Sequence, residues 1–141
     1  MPTSPPPALG SAVALAQQAL TRRLHALLAD LDTDPAHYYA LRVVSTRGPI
    51  TMSALDWQLA QAPVPADAAA DAPATLVTAG LFAVEGDTVS LTTTGTEALT
   101  RLVEPIAALT SELVAPLDPD DLATTARTLG ALTIRADALA A

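Results

Sequence analysis

The side chains in this sequence best equipped for chemistry are scarce, and they gather in its first half. His25 follows Arg22 by three residues, one turn of a helix. His37, Tyr38 and Tyr39 are consecutive, with Arg42 about one turn further on, and Trp57 stands beside Asp56. The whole chain has only two His, two Tyr and one Trp, so this concentration carries information. Tyrosine and tryptophan faces stack on planar ligands. Arginine pairs with a carboxylate or phenolate, and histidine exchanges protons near neutral pH. A histidine beside a tyrosine is also a candidate acid–base pair, for example on a polyketide-like substrate. The candidate ligand-binding set is therefore Arg22, His25, His37, Tyr38, Tyr39, Arg42 and Trp57, and the catalytic candidates within it are His37, His25 and Tyr38. Plainer roles compete: Tyr38, Tyr39 and Trp57 serve equally as core or dimer contacts, His25 as a part-exposed helix residue, and His37 as a first-turn surface residue.

Other chemistries are excluded or unsupported. The chain has no Cys, which removes disulfides and thiolate metal sites. Two His without a convergent carboxylate do not make a metal site. There is no phosphate-cradling glycine loop and no nucleophile motif, so no cofactor is implied. The Asp118, Asp120 and Asp121 cluster reads as the cap of a last helix, complementing its dipole. No apolar run approaches a membrane span. Met1 to Pro7 is Pro-rich without a basic residue, unlike a signal peptide, and the expected location is cytoplasmic.

The elements that must position these residues are mostly helical. At 141 residues, half of them apolar and few aromatic, the chain has room for one modest core of Leu, Val and Ala. After an arm over residues 1–8, one domain is expected over 9–141. Leu9, Val13, Ala16, Leu20, Leu24, Leu27, Leu28 and Leu31 recur at helical spacing. Asp34-Pro35 is a helix start that Gly48-Pro49 terminates. Ile50 reads as a short extended piece, and Thr51 or Ser53 as the cap of a third helix through Leu55 to Gln61. Residues 66–80 are Ala-rich and helical in pattern, but Pro73 is expected to kink or divide them. Gly80 is a stop signal. Leu81–Val84 and Thr88–Leu91 flank Glu85-Gly86-Asp87 as a hairpin. A long helix then carries Leu99, Leu102, Val103, Ile106, Leu109 and Leu113, with a bend expected at Pro105. The last carries Leu122, Ala126, Leu129, Leu132, Ala136 and Leu139. The predicted fold class is mainly α, a winged helix-turn-helix core with a small β-hairpin wing, flanked by terminal helices. The winged core is placed at about residues 34–95. The helices at about 9–31 and 96–140 have apolar faces too extensive for so small a monomer, so a homodimer is expected.

This order resembles the MarR family of ligand-responsive transcription regulators. The resemblance rests on Tyr38 to Val44, on Arg47-Gly48-Pro49-Ile50-Thr51-Met52-Ser53-Ala54-Leu55, on Thr78-Ala79-Gly80-Leu81-Phe82, and on Val89-Ser90-Leu91-Thr92-Thr93-Thr94-Gly95. It implies that the first and last two helices build a dimer. It also implies a small-molecule pocket between that dimer region and the winged helix, near the candidate residues named above.

The charge pattern departs from that family. The chain has 15 acids, 7 Arg and no Lys, a net charge of −8. Between Arg47 and Arg101 there is no Lys, Arg or His, while Asp56, Asp67, Asp71, Glu85, Asp87 and Glu97 all lie there. DNA affinity draws on cations that displace phosphate counterions, and base reading on Arg, Lys, Asn or Gln. The segment from Ala66 to Thr75 offers acids, methyl groups and one hydroxyl, so no DNA-binding residue is assigned. The leading expectation is a repurposed MarR-like homodimer that binds, and conceivably transforms, a small aromatic or hydrophobic molecule. Two alternatives stay open: a ligand-responsive regulator with a weak or atypical DNA grip, using Arg22, Arg23, Arg42 and Arg47 on phosphates, and an acidic protein-interaction module. Absent Lys with abundant Ala, Arg and Pro points to GC-rich coding and a setting such as specialised metabolism.

Overall fold

Two adjacent caps set the first pair of helices in this computed structural model, which describes residues 7–140. Helix α1 (Pro7–Asp30) ends where the Thr33 N–H donates to the Leu28 carbonyl at 2.8 Å and the Asp32 N–H to Ala29 at 3.1 Å. This is the Schellman pattern, and its left-handed position is filled by Asp32, φ 53°, where glycine is usual. Two residues on, the Asp34 carboxylate accepts the Ala36 N–H at 2.8 Å and caps α2 (Pro35–Arg47), with Pro35 in the first turn. Opposite outcomes are expected for the two aspartates in urea denaturation. Asp34→Ala should cost about 1 kcal/mol for the lost cap, whereas Asp32→Gly should gain up to about 1 kcal/mol by relieving the left-handed residue.

Gly48, φ 71°, closes α2 and turns the chain into β1 (Ile50–Thr51). Thr51 then caps α3 (Met52–Ala60), its hydroxyl accepting the Ala54 N–H at 3.2 Å. Helix α4 (Ala66–Thr78) follows. Of the two outcomes expected from sequence, a kink or a division, Pro73 does not bring about the second: the helix is continuous across that position. A proline removes one N–H and crowds the carbonyl four residues back. Here Pro73 and Ala69 are both buried on the face that meets α2 and α3, so packing outweighs the local penalty.

Gly80, φ 80°, ends α4 with a second Schellman turn, in which Leu81 N–H donates to Leu76 O and Gly80 N–H to Val77 O. Strands β2 (Phe82–Glu85) and β3 (Thr88–Leu91) pair antiparallel around a two-residue turn, Gly86-Asp87. Gly86 has φ 65° in the first central position, where a type II′ turn needs it. β1 joins the far side of β3, pairing Ile50 with Val89, so the sheet order is β1-β3-β2. Leu41, Val44, Leu55, Leu59, Leu76, Phe82 and Val89 form the core that α2, α3, α4 and the sheet enclose. A smaller cluster joins Leu28 of α1, Tyr38 of α2 and Leu102 of α5 (Thr93–Val114). Thr92 caps α5, accepting the Gly95 N–H at 3.0 Å while its hydroxyl approaches the Gly80 carbonyl at 2.6 Å.

The chain divides into two compact units, Met1–Ile106 and Ala107–Ala141, the boundary falling within α5 just after Pro105. The first holds the winged helix-turn-helix. The second holds the end of α5 and α6 (Pro119–Ala140), whose start is capped by Asp118 accepting the Asp120 N–H at 2.7 Å. Asp120 and Asp121 in the first turn complement the helix dipole. No residue of α6 is buried. The described residues therefore form six helices and a three-stranded antiparallel sheet, a mainly helical winged-helix fold. No helix among them is long and apolar enough to cross a membrane. The expected arm at residues 1–8 falls largely outside the described residues.

Candidate functional site

Where α1 and α2 face each other, the fold gathers the polar aromatic residues. His25 Nε2 lies 3.2 Å from the Tyr39 hydroxyl, with the two rings edge to face at 5.9 Å between centroids. Tyr38 lies beside Tyr39, centroids 5.4 Å apart. Their roles differ because successive helical residues point about 100° apart. Tyr38 is buried in the cluster with Leu28 and Leu102, whereas Tyr39 is half-buried and reaches out to His25. Burial pushes the Tyr39 phenol above its ordinary pKa of 10.0, and Tyr38 adds to this, while the Arg42 guanidinium pulls the other way. At neutral pH Tyr39 is thus a neutral hydroxyl. It can donate to an unprotonated Nε2 or accept from Nε2–H, so the pair can hold a proton at either atom.

Stability should respond at high pH. A raised pKa means the folded chain holds the phenolic proton more tightly than the unfolded one. The contribution is complete below pH 10.0 and is lost as pH rises through the higher folded value. Urea midpoints measured from neutral pH upward are expected to fall above that point, and Tyr39→Phe should flatten the fall.

Tyr39 also lines one end of a cleft of about 340 Å³ between α2 and α3, with Arg42, Val43, Thr46, Arg47, Gln58, Leu59, Gln61 and Ala62. The candidate set from sequence is only partly brought together. His25, Tyr38, Tyr39 and Arg42 share one neighbourhood. His37 faces another cleft, of about 540 Å³, alongside Asp32, Asp34 and Arg101 over a floor that includes Leu41, Leu76 and Leu102. Arg22 lines a third, with Gln18 and Pro63. Trp57 is 64% exposed on α3 and lines none of these three clefts. Arg47, Thr46, Gln58 and Gln61 were not singled out as ligand contacts from sequence. The signal for the last two was present, since Gln58 and Gln61 are three apart and share a helix face. Among the described residues no group of three His, Cys, Asp or Glu could hold a metal ion.

The exposed faces of α4 and the wing tip are acidic. α4 buries Ala69, Ala72, Pro73 and Leu76, leaving Asp67, Ala70, Asp71, Ala74, Thr75 and Thr78 outward. The wing tip exposes Glu85 and Asp87. The outward face of α4 and the wing tip therefore present carboxylates, methyl groups and threonine hydroxyls and no cation.

Comparison with known proteins gives the fold a name. No protein-family model matches the chain, and no curated protein matches it by sequence. Solved structures do. NadR in complex with 4-hydroxyphenylacetate superposes with a TM-score of 0.76 at 17% identity, over 93% of this chain and 98% of that one. The reduced form of MarR from E. coli gives 0.72 at 25% identity, over 93% and 95%. A MarR family protein from Bacillus stearothermophilus gives 0.76 at 16% identity, over 92% and 93%. With the six helices, the three-stranded sheet and this near-complete overlap, the chain has the MarR-family winged-helix fold.

Proposed function

We propose that the chain works as a homodimer that binds a small aromatic or hydrophobic molecule, and that this binding, rather than ordinary base reading, is its function. The observation that carries the reading is the His25–Tyr39 hydrogen bond beside Tyr38 and Arg42. It offers an aromatic wall, a neutral hydroxyl, an imidazole and a guanidinium within one neighbourhood. That set suits a planar molecule bearing a phenol, carbonyl or acid group. NadR, similar in fold, has been solved with 4-hydroxyphenylacetate, a ligand of this kind. The carboxylate-lined α4 and wing argue in the same direction, because a duplex needs cations where this chain has acids. Arg22, His37 and Trp57, which face elsewhere, are proposed as secondary contacts that a partner protomer completes.

The test is calorimetric titration with 4-hydroxyphenylacetate, paired with anisotropy of a labelled random duplex at low salt. Saturable ligand binding is expected, weakened about tenfold by Tyr39→Phe or His25→Ala for the loss of one hydrogen bond. Ligand binding unaffected by both variants would sink the assignment. Duplex binding that falls steeply with salt would establish instead a regulator with an atypical DNA grip. The His25–Tyr39 pair also has the parts for proton transfer, so the same incubations are assayed for ligand turnover.

A further inference from the structure

The α2–α3 cleft runs against the charge of the whole molecule. The chain carries −8, yet this cleft is lined by Arg42 and Arg47 and by no acid. No hydrogen bond or ion pair joins either guanidinium to a described residue, and Arg42 lies close enough to Tyr39 to oppose the rise of its phenol pKa. Thr46 and Gln58 add a hydroxyl and an amide, while Tyr39 and Leu59 add an apolar wall.

We propose that this cleft takes a phosphorylated ligand, its phosphoryl group held by Arg42 and Arg47 and its apolar body against Tyr39 and Leu59. The aromatic body rests on the binding function proposed above, whereas the phosphoryl site stands on the two arginines. The ends of α2 and α3 oppose an anion here, each helix C-terminus carrying about half a negative charge. Two guanidiniums outweigh them and leave the cleft net positive. Geometry then selects among anions. A planar carboxylate saturates one guanidinium fork. A tetrahedral phosphoryl group, with three terminal oxygens and nearly two charges at neutral pH, engages two forks at once.

The experiment titrates phenyl phosphate, phenol and inorganic phosphate into the full chain by calorimetry, with a short DNA duplex as a separate arm. Phenyl phosphate is expected to bind about tenfold or more tighter than phenol. Arg47→Gln should abolish that advantage, and Arg23→Gln, the same charge change on exposed α1 outside the cleft, should leave it in place. Circular dichroism confirms that both surface variants fold. Phenyl phosphate binding no tighter than phenol, or an advantage that survives Arg47→Gln, overturns the proposal. Duplex binding that depends on Arg47 while phenyl phosphate stays inert also overturns it, since the phosphate would then come from nucleic acid. Saturable 4-hydroxyphenylacetate binding alongside inert phenyl phosphate removes the phosphoryl site alone, so the two readings fail separately.

Discussion

Gly95→Ala is expected to destabilise the fold by about 1–3 kcal/mol, although Ala is ordinarily the better helix former. Gly95 is buried in the first turn of α5, where that helix crosses the end of the wing. A Cβ placed there collides with the Leu81 carbonyl and comes within 3.1 Å of a Leu91 methyl. The first obstacle is backbone, held by the Schellman turn at Gly80 and by the Thr92 hydroxyl, so it cannot rotate aside. The readout is a lower urea midpoint with unchanged slope. Gly10→Ala in exposed α1 meets nothing within 4 Å and supplies the control, with a gain of at most about 1 kcal/mol. A Gly95→Ala protein as stable as the parent would mean that the wing and α5 do not meet this closely.

Replacing Leu129 and Leu132 together by Asp is expected to dissociate the proposed homodimer. α6 is a 22-residue helix without one buried residue, and Leu132 and Leu139 are 45% and 75% exposed. Leu122, Ala126, Leu129, Leu132, Ala136 and Leu139 nonetheless keep a helical period. A helix this apolar draws most of its stability from a packed face, and a second copy is the partner the proposed function supplies. In a two-fold interface each substitution counts twice. Burying a charge there should therefore raise the dissociation constant at least about 100-fold, or about 2.7 kcal/mol. Light scattering across a dilution series reads the change. A parent that is monomeric at all concentrations would remove the dimer from the proposed function.

Much of this architecture is legible in local sequence. Asp34-Pro35, Gly48, Thr51, Gly80 and Gly86 each terminate or start the element that their backbone preferences demand. The reason is that caps and turns depend on a few neighbouring residues. Pro73 shows where local reasoning stops. Its penalty is local, but the burial that offsets it comes from α2 and α3, which are distant in sequence. The candidate site divides in the same way. Residue types and one-turn spacings identify the right helices, yet the Tyr38 and Tyr39 assignments depend on which of two adjacent side chains points into the core.

By itself, then, the sequence determined the helical order, the caps, the hairpin and an acidic, lysine-free surface from Arg47 to Arg101, since composition and short-range backbone preference suffice for these. Only the tertiary structure decided that His25 meets Tyr39, that Trp57 and His37 face other surfaces, and that Arg42 and Arg47 share a cleft without an acid. Those relations join residues on different helices, and their geometry follows from how α1, α2 and α3 pack within the first unit, which no periodicity along the chain encodes.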